Sequence, residues 1–89
     1  MTTSIISVLA NDIRLQLITC LGRGSKNVSE LISNCGLSQS AVSQHLRKLR
    51  RSGLVRSEKR GKEVYYHLAY PSTASLAHDL QSFIKKVKS

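Results

Sequence analysis

Two stretches of helical pattern meet at Gly36, and the residues around that glycine limit the fold more than any other feature of the chain. Asn27-Val28-Ser29-Glu30 fits a capping box, in which Asn27 caps a helix and Glu30 reaches back to the cap. The helix it opens buries Leu31 and Ile32 and stops at Gly36, a natural left-handed terminator. Leu37 packs and Ser38 caps a second helix, which runs to about Ser52 before Gly53 ends it. Val42, Leu46 and Leu49 form its apolar stripe. Two capped helices separated by so short a turn predict a helix-turn-helix.

Upstream, Ile5, Leu9, Ile13 and Leu17 recur four apart, an apolar stripe at helical spacing. Asn11-Asp12 interrupts it, which predicts a short helix near residues 3 to 10 and a second, capped by Asn11, from 12 to 21. Gly22-Arg23-Gly24-Ser25 then breaks the pattern. Beyond Gly53 the period changes. Leu54 to Glu58 and Val64 to Leu68 read as strands around a turn at Lys59-Arg60-Gly61-Lys62, a hairpin with a basic tip. Pro71 ends the hairpin, and Ser72 or Thr73 is placed to cap a last helix carrying Leu76, Leu80, Phe83, Ile84 and Val87. The predicted fold class is mainly α with a β-hairpin wing, a winged helix-turn-helix. Four helices, two strands and a fifth helix follow one another in a single domain over residues 1–89. A domain of this size often gains stability by pairing with a copy of itself.

The formal net charge of +9 is unevenly placed. Residues 47 to 89 hold eleven basic side chains against three acidic ones, a surplus of eight, whereas residues 1 to 46 have a surplus of one. A basic half on a small domain is the electrostatic footprint of a polyanion partner, although a membrane surface or plain solvation would also suit it. No apolar run approaches the roughly 20 residues needed to span a bilayer. The N-terminus lacks the basic and apolar segments of a signal peptide. The expected location is therefore the cytoplasm, where Cys20 and Cys35 are usually reduced.

The pattern of polar residues favours duplex DNA. The exposed side of the second helix of the pair offers Gln39, Ser40, Ser43 and Gln44 near its start, where side chains reach deepest into a major groove. Glutamine can pair with the N6 and N7 edge of adenine, and serine with several edges, so these four are the candidate base readers. Ser38, Arg47, Lys48, Arg50 and Arg51 are placed to hold phosphates. The hairpin tip brings Lys59, Arg60 and Lys62 to the flanking backbone or minor groove. Lys85, Lys86 and Lys88 instead suit the negative end of the last helix. No Gly-rich phosphate loop and no paired carboxylates occur, so nothing points to an enzyme or to a bound cofactor.

The run from Leu37 to Leu49, LSQSAVSQHLRKL, followed by Gly53-Leu54-Val55, resembles the recognition region of the ArsR/SmtB family. Lys59 to Tyr66 is similar to that family's wing, and Leu9 to Leu15 to its N-terminal motif, without the proline often found before the arginine. The resemblance implies a homodimeric repressor on a palindromic operator, with the first and last helices forming the dimer interface and an effector causing release. The residues offered for that interface are Ile5, Ile6 and Leu9 with Leu76, Leu80, Phe83, Ile84 and Val87. The same residues could instead cover the core of a monomer.

Metal-sensing branches of the family carry a Cys-x-Cys type motif on the first helix of the pair, or Asp/His ligand pairs on the last helix. Here the corresponding stretch is Glu30 to Asn34, and the last helix has only His78-Asp79, adjacent and so facing different directions. No metal site is expected. The central sequence and Arg14 to Leu17 look most like the HlyU-like members that lack metal sites and respond to thiol chemistry. Those carry a reactive cysteine on the second helix and a partner on the last. Cys20 lies close to the former position, but the last helix has no cysteine. Cys20 and Cys35 are therefore candidates for redox control, with inert packing as the alternative, and a bond between them requires Cα atoms within about 7 Å. His45 reads as a packed, hydrogen-bonded residue, and His67 as facing out of the wing. Two other functions remain open: a winged-helix module that binds a protein, and a constitutive or architectural DNA binder without an effector.

Overall fold

The structure, a computed structural model, describes residues 4–88. The element order is α1 (Ile5–Leu9), α2 (Asp12–Leu21), α3 (Val28–Cys35), α4 (Gln39–Ser52), β1 (Val55–Arg60), β2 (Glu63–Leu68) and α5 (Ser72–Lys88). This is the mainly helical winged architecture expected from the sequence.

Local chemistry sets most of the boundaries. Ser4 caps α1, and Asn11 caps α2 by accepting a hydrogen bond from the Arg14 amide at 3.1 Å. The expected helix start at residue 3 lies outside the described residues. The capping box of α3 is complete: Asn27 Oδ1 accepts from the Glu30 amide at 2.8 Å, and the Asn27 amide donates to Glu30 Oε1 at 3.0 Å. Gly36 then takes a left-handed conformation (φ 66°) that costs a residue with a Cβ far more than it costs glycine. Ser38 Oγ accepts from the Ala41 amide at 3.2 Å and opens α4.

Three expectations need correction. Lys59 and Arg60 belong to β1 rather than to the turn, because the strands pair in register from Val55↔Leu68 to Arg60↔Glu63. Only Gly61-Lys62 remains as the loop. Gly61 at φ 62° supplies the first position of a II′-type turn, whose twist matches that of the flanking strands. Ser72 and Thr73 do not cap α5, since Ser72 is already helical and Thr73 is buried in its first turn. His78 and Asp79 do not diverge fully: Nδ1 and Oδ1 lie 3.9 Å apart, with both side chains well exposed.

The core is one cluster. Val8, Leu15, Leu17, Ile18, Leu31, Val42, Leu49 and Val55 are its largest fully buried members, drawn from α1 to α4 and β1, and α5 adds Ala77. The loop before α3 adds a rung to the hairpin, with Lys26 and Tyr66 exchanging backbone hydrogen bonds at 3.0 and 2.8 Å. That bridge fixes the wing against the base of the helix-turn-helix. On the other side α5 packs along α2, where Thr19 Oγ1 donates to Gln81 Oε1 at 3.0 Å.

Candidate nucleic-acid interface

α4 is amphipathic in the literal sense that its two sides have different solvents. Val42, Leu46 and Leu49 are buried, and Gln39, Ser40, Ser43, Gln44, Arg47, Lys48, Arg50 and Arg51 are exposed. Fourteen residues at about 1.5 Å each give a rod of about 21 Å, long enough to lie along a major groove about 12 Å wide. The Ser38 oxygen accepts the hydrogen bond that caps the helix, and it also lies 3.4 Å from the Ser40 hydroxyl. Arg50 and Arg51 in the last turn suit the negative end of the helix dipole, which steadies α4 without using a carboxylate.

Between α4 and the wing lies a basic concavity of about 520 Å³ lined by Val28, Ser43, Leu46, Arg47, Arg50, Arg51 and Tyr66. No acidic residue lines it. Tyr66 was not legible as part of this surface, because its place depends on the long-range bridge to Lys26.

The wing is less uniformly basic than its sequence suggests. Lys59 and Lys62 are exposed and meet no carboxylate among the described residues. Arg60 is held: its Nε donates to Glu58 Oε1 at 2.6 Å, and its guanidinium carbon sits 4.8 Å from the centre of the Tyr65 ring. That hydrogen bond, and then the charge of Arg60, pull the Glu58 carboxyl below its usual range. Glu58 and Arg60 point to one face of β1, which is why alternation places them together.

Arg14 entered the sequence reading only through the charge balance and the family resemblance, and it is buried. It falls on the stripe Arg14, Leu17, Ile18 and Leu21, all buried, and that spacing was the signal that could have found it. Its Nη1 lies 3.2 Å from Nδ1 of half-buried His45 on α4, which is the packed, hydrogen-bonded histidine expected.

Away from α4, Ile5, Ile6, Leu76, Phe83 and Val87 are exposed, while Leu9, Leu80 and Ile84 are half-buried. An open, mostly apolar groove of about 790 Å³ runs between α1, α2 and α5, with Ile6, Leu9, Leu76, Leu80 and Ile84 on its walls. Cys20 and Cys35 are joined by a disulfide across 6.3 Å between Cα atoms, which ties α2 to the end of α3. Among the described residues no group of three His, Cys, Asp or Glu is placed to hold a metal ion, and no helix is long and apolar enough to cross a membrane.

A capped helix pair, a basic hairpin beside it and a polar outer face define a winged helix-turn-helix regulator of transcription. Residues 11–57 match the model of the bacterial regulatory protein arsR family, and the chain belongs to that family. Its members are DNA-binding transcriptional regulators rather than enzymes. The transcriptional activator HlyU of Vibrio cholerae is 45% identical over 65 residues, covering 73% of this chain and 60% of that protein. The biofilm growth-associated repressor of Xylella fastidiosa is 32% identical over 77 residues, covering 86% and 68%. The crystal structure of HlyU from Vibrio vulnificus superposes with a TM-score of 0.75 at 39% identity, covering 89% of this chain and 82% of that one. The chain thus spans 60% of the Vibrio cholerae protein's length and about two thirds of the Xylella protein's.

Proposed function

We propose that this protein is a sequence-specific transcriptional repressor, a single domain that acts in the cytoplasm as a homodimer on a palindromic operator. The exposed face of α4 carries the reading, because it combines neutral hydrogen-bonding side chains at its start with exposed arginines further along that meet no carboxylate among the described residues. Gln39, Ser40, Ser43 and Gln44 read base edges. Ser38, Arg47, Lys48 and Arg51, with Lys59, Arg60 and Lys62 of the wing, hold the backbone. The exposed apolar residues of α1 and α5 form the two-fold interface, which sets the recognition helices about 34 Å apart to match one turn of DNA.

Selection of bound duplexes from a random pool tests this. A two-fold symmetric consensus is the expected result. Enrichment of no sequence would favour an architectural binder, and absence of any duplex binding would favour a protein-interaction module.

The disulfide between Cys20 and Cys35 favours thiol chemistry as the effector input. It fastens α3, the first helix of the helix-turn-helix, to α2, so its reduction would loosen the support on which α4 sits. Equal operator affinity for oxidised and reduced protein would remove that reading.

A further inference from the structure

α1 ends at Leu9, and the last carbonyls of a helix have no partner within it. The Ala10 amide at the cap reaches the Ile6 and Ser7 carbonyls at 3.0 and 3.3 Å, and Arg14 supplies further partners from α2. Its Nε donates to the Val8 carbonyl at 2.6 Å, and its Nη2 donates to the Ser7 carbonyl at 3.3 Å. The remaining arm of the same guanidinium, Nη1, reaches His45 Nδ1 at 3.2 Å. One buried side chain therefore joins the end of α1 to the middle of α4, next to Gln44.

A guanidinium has only donors, so the contact with His45 is a hydrogen bond only when Nδ1 offers a lone pair. His45 must then be neutral, with its proton on Nε2. The surroundings enforce this. The charged groups that face it are Arg14 from α2 and Lys48 one turn along α4, both cations. Lys48 and Arg51 also line a small cavity with Arg14, Ser7 and Val8, where α1 contributes no titratable side chain. No carboxylate stands there to balance a protonated imidazole.

We propose that Arg14 and neutral His45 are a positioning pair that holds the recognition helix against α1, and that operator discrimination depends on this contact. The inference rests on the reading of α4 as the helix that enters DNA. It adds the device that fixes where α4 points. Because α1 also carries part of the exposed apolar surface, the pair links the helix bearing that surface to the side chains on α4. Protonating His45 turns the acceptor into a donor aimed at a guanidinium, and the link breaks.

Burial, then the charges of Arg14 and Lys48, hold the imidazole below its usual pKa of 6.5. A histidine whose pKa is lowered by a contact favours that contact above the ordinary value and opposes it as pH falls below 6.5. Ordinary charge effects have the opposite sign, since added positive charge strengthens binding to DNA of any sequence.

The test is fluorescence anisotropy of the full chain at constant ionic strength, with a selected operator duplex and a scrambled one, between about pH 7.5 and about pH 5.5, a span that brackets the titration of an ordinary histidine. Three proteins are compared: the unaltered chain, His45→Asn, whose amide oxygen can accept from Arg14 without titrating, and His45→Phe, which has no acceptor. The unaltered chain should lose about tenfold in operator affinity on acidification, within the usual range of a coupling between two sites, while binding scrambled duplex no more weakly. His45→Asn should match the unaltered chain at the upper pH and hold its affinity within about twofold at the lower one, given an interaction that no longer titrates. His45→Phe should discriminate poorly at every pH while melting as a folded protein. A flat operator profile for the unaltered chain overturns the inference, and so does a His45→Asn profile that still falls. Discrimination by none of the three at the upper pH would instead overturn the DNA-reading role of α4, and the pair with it.

Discussion

Gly22 at the end of α2 and Ala74 in the first turn of α5 approach so closely that a methyl on Gly22 would lie 2.6 Å from the Ala74 methyl. Gly22 has an ordinary helical φ of −64°, so it is required for space and not for backbone freedom. Gly22→Ala should therefore destabilise the fold by about 1–3 kcal/mol, the usual range for overpacking. For a domain of this size that is about 4–8 °C of Tm for each kcal/mol. Adding Ala74→Gly should restore much of the loss. A Tm unchanged by Gly22→Ala would mean that the two helices can part at no cost.

The disulfide predicts a second dependence of stability. Cys20 and Cys35 are 15 residues apart, and closing a loop of that length restricts the unfolded chain by about 3 kcal/mol. Reductant should lower the Tm of the unaltered protein. Cys35→Ala is the milder variant because Cys35 is half-buried while Cys20 is buried, and its Tm should start low and ignore reductant. A reductant-insensitive Tm in the unaltered protein would show that the two thiols are not paired in solution.

The helix-turn-helix was legible because its punctuation is local. Asn27 finds Glu30 three residues away, Gly36 and Gly53 turn left-handed within their own peptide units, and Ser38 bonds an amide three residues on. What the sequence hid depends on partners far along the chain. The Lys26–Tyr66 rung joins a loop to a strand 40 positions later, and a single rung leaves no periodic trace. The burial of Arg14 went unread because three of its partners, the Ser7 and Val8 carbonyls and His45, appear only after folding. Strand β1 ran past its expected end for a related reason. Lys59 and Arg60 look like turn residues, yet a two-stranded wing has no buried face there to exclude charge.

The division of labour between α4 and the wing gives opposite signatures. Gln44→Ala removes no charge, so the salt slope of binding should stay fixed while preference at particular base pairs is lost, at about 1–3 kcal/mol per contact. Lys62→Ala should weaken binding to all duplexes and reduce the salt slope by about one. Glu58→Gln should do the reverse. It turns the 2.6 Å ion pair into at most a neutral hydrogen bond and removes a negative charge from the wing, so every duplex should bind more tightly with a steeper slope. Quantitative titrations at several salt concentrations check all three. A change of base preference with Lys62→Ala, or none with Gln44→Ala, would reverse the assignment.

Phe83 offers the cleanest test of the dimer because it contributes little to the monomer. It is 63% exposed on α5, whereas its neighbours Leu80 and Ile84 are half-buried against the core. An exposed phenyl among Leu76 and Val87 is surface that pairing would cover, and a glutamate there should be harmless to the isolated fold but repelled across a two-fold axis. Phe83→Glu should keep its helical circular dichroism and a cooperative melt while its mass by light scattering falls to one chain. Each monomer could then grip only one half-site, and losing the linked second site should cost about a hundredfold or more in operator affinity. An unaltered protein that is monomeric at micromolar concentration and still binds a symmetric operator would place the pairing on the DNA. A Phe83→Glu protein that remains dimeric would place the interface on some other face than the exposed apolar surface of α5 around Phe83.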